Sequence, residues 1–153
     1  MDYQKYFSQL KQKLGLEVDA KLQAAYQYGV QADELAQLVI RGIKTATTSG
    51  YDLYRENEPL PQVGAYDLIL DSKNLPVALI QVDEVQIVPY LSVDEEHAFR
   101  EGEGDRTLAY WRRVHDEFFK KDYALEGKIF IPHTAKMVLE KFHLVTNLTE
   151  TVE

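Results

Sequence analysis

Cysteine is absent from the 153-residue chain. That excludes a disulfide scaffold, an iron–sulfur or zinc–thiolate site, and a thiol nucleophile. It also fits a reducing compartment. Positive charge is scarce: 17 Lys and Arg stand against 25 Asp and Glu, a formal net charge of −8. Proteins that coat long duplexes gain affinity by neutralising phosphates and releasing counterions, so they carry a basic surplus. This chain has none, and long duplex DNA is not an expected partner. A small pocket for one nucleotide or a short strand stays compatible with the charge. No apolar run approaches the roughly 20 residues needed to cross a bilayer. The opening segment MDYQKYFSQL is polar and aromatic, without a signal core. A soluble, cytoplasmic protein with no membrane partner is expected. Repeats and low-complexity segments are also missing.

What is present is ordinary globular composition, 45% hydrophobic and 27% charged. The length suits one domain spanning residues 1–153 and able to bury its own core. Tyr3, Tyr6, Phe7, Leu10 and Leu14 share one helical stripe, which predicts a helix over 2–14 capped by Asp2 and stopped by Gly15. Residues 16–31 are ambiguous and could hold a short helix ending at Gly29. A helix is expected from Ala32 to Arg41, with Gly42 as left-handed cap. The segment YDLYRENEPLPQVG, with its prolines and glycine, reads as a loop that can wall a cleft. Strands are expected at 65–70 and 76–88, joined by the DSKN turn, the second long enough to need a bend or bulge. Ser92 with Glu95 suggests a capping box for a short helix to Arg100. Asp105 is the expected cap of a helix through Lys121, with Leu108, Trp111, His115, Phe118 and Phe119 on its apolar face. A last strand is expected over 136–145, then a polar tail over 146–153. Strands and helices do not alternate, which argues against a doubly wound sheet. The expected class is α+β: a small, mostly antiparallel β-barrel flanked by helices.

Three constellations could carry chemistry. In GIKTATTS (42–49), Lys44 lies just past a helix cap, with Thr45, Thr47, Thr48 and Ser49 close behind. A partly desolvated lysine can act as a base or an electrostatic clamp, and a neighbouring hydroxyl as nucleophile or hydrogen-bond donor. The structural alternative is a lysine satisfying helix carbonyls before a threonine-rich strand. In HAFREGEGDRT (97–107), Glu101, Glu103 and Asp105 alternate with glycines. Capping explains Asp105 but not the two further acids, whose like charges repel. Arg106 completes the candidate ligand-binding set. Among the aromatics, Trp111, Phe118 and Phe119 fit a core, whereas Tyr51 and Tyr54, on the loop beside the threonines, are candidates for stacking on a base. His97, His115, His133 and His143 include no pair at the spacing of two metal-ligating histidines, so neither a metal nor a cofactor is expected.

Taken together, GIKTAT, the EPLPQVG loop with Gly64, and EGEGDRTLAYWRRVHDEFF resemble a bacterial branch of the ASCH domain family over residues 25 to 145. The resemblance implies a barrel related to the PUA domain. It implies binding of RNA or a nucleotide-like molecule, with ribonuclease activity in some members. In others it implies an amidohydrolase that removes an acyl group from a modified cytidine. By that resemblance the reactive set falls on Lys44, Thr47 and Glu101. The amidohydrolase-like members carry an arginine where Ser49 stands here. The physical expectation is that Lys44 and Glu101 meet at the rim of a cleft walled by 42–48, the 50–64 loop and the EGEGD turn. A pocket for RNA or a nucleotide-like ligand is the leading reading. An acylcytidine amidohydrolase and a non-catalytic partner-binding module are the alternatives.

Overall fold

The computed structural model describes residues 1–149. The N-terminal stripe winds into α1, Tyr3–Leu14, whose first turn is capped by the Asp2 carboxylate accepting from the Lys5 N–H. Gly15, at φ 66°, ends it in the left-handed cap that glycine adopts without steric cost. Phe7 and Leu10 pack on Leu22, Tyr66, Leu68 and Leu79.

Residues 22–26 are not helical. They form strand β1, Leu22–Tyr26, paired in parallel with β3, Tyr66–Leu70. The hydrogen-bonding partner lies far along the chain, so tertiary pairing overrides the local helix preference of Ala24 and Ala25. Helix α2, Ala32–Ile40, follows and buries Ala36 and Val39. The threonine-rich segment becomes β2, Ala46–Gly50. Strand β4, Pro76–Pro89, is irregular in register at Leu79/Ile80 and Val82/Glu84, the disruption its length calls for.

Two helix caps differ from expectation. Helix α3, Glu95–Glu101, is capped by Asp94, whose carboxylate accepts from the His97 N–H, and not by Ser92. Helix α4, Leu108–Leu125, is capped by Thr107, and Asp105 instead accepts from the Thr107 N–H and hydroxyl. Arg106 stands between them at φ 65°, so the helix cannot start at Asp105. Strand β5, Lys136–Asn147, reaches into the expected tail because Thr146 and Asn147 pair with Leu79 and Ala78. Of that expected tail, 150–153 lie outside the described residues.

The strands form one sheet in the order β1-β3-β4-β5-β2. It is mixed, with β1–β3 parallel and the other pairings antiparallel. The α+β class and the mostly antiparallel pairing hold. The closed barrel does not: β1 and β2 are free edges that do not pair with each other. Each is only five residues long, and α2 lies between them in the chain. Helices cover the faces instead. Ala36 and Val39 of α2 pack on Ile69, Ala78, Ile80 and Phe142. Trp111, Phe119 and Tyr123 of α4 pack on Tyr90, Met137 and Leu139. The open edge at β2 is where the polar cleft forms.

Candidate functional site

Helix α2 ends at Ile40 with Arg41 as its cap, and Gly42, at φ 74°, redirects the chain so that Lys44 turns inward. The end of α3 is pinned beside it, with the Thr45 N–H donating to the Arg100 carbonyl at 2.7 Å. Gly102 permits this contact, since a Cβ there would lie 2.6 Å from the Ile43 carbonyl oxygen. The Lys44 ammonium is thus buried, at 2% exposure, against an equally buried Glu101. It donates to Glu101 Oε1 at 3.1 Å, Glu103 Oε2 at 3.0 Å and the Ala46 carbonyl at 2.9 Å. The Lys44 Nζ lies over the Tyr28 ring, 5.0 Å from the centroid.

The other oxygen of Glu101 is as densely served. Oε2 accepts from the Trp111 indole N–H at 2.5 Å and from the Thr48 hydroxyl at 2.6 Å. His97 Nε2 lies 3.2 Å away and also contacts the Thr48 hydroxyl at 2.7 Å. His115 stacks on Trp111 at 4.0 Å between centroids, with its Nε2 3.9 Å from Glu101. Burial by itself pushes the Glu101 carboxyl up. The Lys44 charge and the surrounding donors more than reverse this and hold it well below the usual carboxylate range. Burial likewise pushes the Lys44 ammonium down, but Glu101 and Glu103 outweigh it, and the net displacement is upward. Lys44 therefore stays charged in the resting site.

This centre opens into a chamber of about 450 Å³ bordered by Tyr28, Thr47, Thr48, Glu103 and Phe118. A second chamber of about 610 Å³ is bordered by Tyr26, Tyr54, Asp67 and Glu140. Tyr28, Gly29, Thr47 and Thr48 line both, so the two chambers adjoin along one cleft. Both volumes fall in the range of small-molecule sites.

An ASCH domain family model matches residues 24–146. The chain belongs to the ASCH domain family. A crystal structure of an ASCH domain from Lactobacillus crispatus is 28% identical, covering 95% of this chain and 96% of that one, with a TM-score of 0.83. A crystal structure of a protein from Enterococcus faecalis V583 is 32% identical, covering 97% of this chain and 95% of that one, with a TM-score of 0.81. No curated protein matches the sequence significantly.

Within this ASCH domain, the expected meeting of Lys44 with Glu101 is seen, and Glu103 shares the ammonium rather than competing for the role. Thr47 lines both chambers, but the hydroxyl held by Glu101 is that of Thr48. Alternation along β2 explains this: neighbouring residues face opposite sides of the sheet. Ser49 bonds the Tyr54 hydroxyl at 2.9 Å, and both border the larger chamber. Tyr51 lies in a short turn of 3₁₀ helix, Tyr51–Leu53, and borders neither chamber. Thr45 and Arg106 also lie outside both. Arg106 straps the α3 end instead, donating to the Phe99 and Ile43 carbonyls and covering the Phe99 ring.

Sequence reasoning placed Trp111 in the core and set the histidines aside. Trp111 is core, and its N–H also serves the site. His97 and Glu101 are an i, i+4 pair on α3, a spacing that was readable. Asp67 and Glu140 were missed altogether, each a lone acid within a strand. Among the described residues no helix is long and apolar enough to cross a membrane, and no cluster of three or more acidic or histidine side chains is arranged to hold a metal ion.

Proposed function

We propose that the cleft binds a nucleoside-sized unit of RNA or a related nucleotide-like molecule, with Lys44 as a fixed positive charge. The observation that carries this is the pairing of buried charge with aromatic walls. Lys44 and Glu101 sit beneath a chamber bordered by Tyr28 and Phe118, continuous with one bordered by Tyr26 and Tyr54. Aromatic faces accept bases, and the few convergent polar groups fix orientation. Family membership supports the same class of ligand. Glu101 and Glu103 already balance Lys44, so the centre has no surplus charge for a run of phosphates.

Titration at fixed salt with free nucleosides, a short single-stranded oligoribonucleotide and a long RNA duplex tests this. Saturable binding of the short ligands, lost in Lys44→Ala, is expected. Equal, salt-steep binding of the long duplex would refute it.

A second reading, an amidohydrolase acting on an acylated cytidine, is favoured by the sharing of one chamber by Lys44, Thr47 and Glu101. The Thr47 hydroxyl oxygen would bond to the acyl carbon as the C–N bond breaks, its proton passing to the departing amine. Water would then hydrolyse the ester. The charged Lys44 would stabilise the oxyanion and not remove the proton. Release of cytidine from an acylated cytidine, followed by chromatography, distinguishes this. Undiminished product from Lys44→Ala would eliminate it.

A further inference from the structure

The larger chamber contains two acids that the Lys44 centre does not use. Asp67 is 2% exposed and Glu140 is 7% exposed, and both border the cavity. Asp67 is on β3 and Glu140 on β5, so the fold brings them to one chamber from separate strands. Neither forms an ion pair among the described residues. Asp67 Oδ1 is buried with no hydrogen-bond partner, and so is the hydroxyl of Tyr28, which borders the same chamber. Buried polar atoms are almost always partnered, and an orphan in a cleft asks for a ligand atom. Asp67 on β3 and Tyr28 in the segment after β1 bring both orphans to one cavity, which makes the demand specific.

We propose that Asp67, Glu140 and Tyr28 form a second recognition centre that receives the exocyclic amino group of a nucleobase. The inference rests on the nucleoside reading above and adds which face of the base is read. Carboxylate oxygens are acceptors, and an amino group supplies two N–H donors to them. A base carrying a carbonyl oxygen in that place would set a lone pair against the ionised carboxylate. The flanking rings of Tyr26 and Tyr54 suit a flat heterocycle. The proton balance suits it as well. Burial pushes Asp67 up to about 6, and burial with the nearby Asp67 pushes Glu140 up to about 7. Near neutral pH the pair can thus hold one proton between them, so both need not carry charge while buried.

The test is calorimetric titration at pH 7 with two matched pairs, cytidine against uridine and guanosine against inosine. Each pair differs at the group in question. Binding of cytidine and guanosine at least about tenfold tighter than of their partners is expected. In Asp67→Asn/Glu140→Gln the preference should fall to within about twofold, with inosine affinity unchanged and uridine affinity the same or higher; near-UV circular dichroism checks that this variant is folded. Glu103→Gln, at the other centre, should keep the preference. Binding of all four nucleosides with equal affinity, or a preference that survives in the double variant, overturns this proposal and leaves the nucleoside reading standing. Binding of none overturns both.

Discussion

The cleft holds two pairs of buried ionisable groups, and they are solved in opposite ways. At one end Glu101 sits among Lys44, Trp111, Thr48, His97 and His115, and its carboxyl is held charged. At the other, Asp67 and Glu140 border one chamber without a cation, and burial raises both. The acids at both ends are buried, so burial alone cannot explain the contrast. The Lys44 charge beside Glu101, with the donors around it, decides it, since no cation pairs with Asp67 or Glu140. The Glu101 carboxylate is complete, both its oxygens being partnered within the chain, whereas Asp67 Oδ1 has no partner.

Breaking the complete end should cost most. Lys44→Met leaves Glu101 buried without its cation, and a loss of about 3–5 kcal/mol is expected, measured by urea denaturation at pH 7. Adding Glu101→Gln should restore part of that loss; if it restores none, the Lys44–Glu101 pairing is not the source.

The incomplete end should respond with the opposite sign. The folded state holds protons on Asp67 and Glu140 that the unfolded chain releases near pH 4. Their contribution to stability is therefore fully present at low pH and is lost as pH rises through about 6 and about 7. Asp67→Asn or Glu140→Gln should each raise stability at pH 8 by about 2–3 kcal/mol and flatten the fall between pH 4 and 8, followed in thermal or urea melts. Glu101 should behave conversely, contributing above its unfolded pKa and losing that contribution only in strong acid.

Thr48→Val removes one donor from Glu101 while keeping β-branched shape on the strand. A loss of about 1–3 kcal/mol is expected, since the carboxylate has other partners. The same substitution at Thr47, which holds neither charge, should cost less and instead affect ligand binding. The smallest effect, about 1 kcal/mol, is expected for Asp2→Ala, which removes the cap of α1 far from either end.

Helix α1, its Asp2 cap and its Gly15 stop were legible because they depend on neighbours three or four positions apart. So were the bulged β4 and the meeting of Lys44 with Glu101, the latter through family resemblance. Strand β1 was not, because its partner is more than forty residues on. The caps of α3 and α4 were placed near but not at the right residue, since several acids and hydroxyls compete there.

Composition and local periodicity determined a cysteine-free, acidic α+β chain and the positions of most of its elements. Only the tertiary structure decided that the sheet stays open, that Thr48 rather than Thr47 turns to Glu101, and that Asp67 and Glu140 share a chamber. The reason is common to all three. Strand pairing joins segments distant in the chain, and a side chain's face is set by register with that partner, which no local pattern encodes.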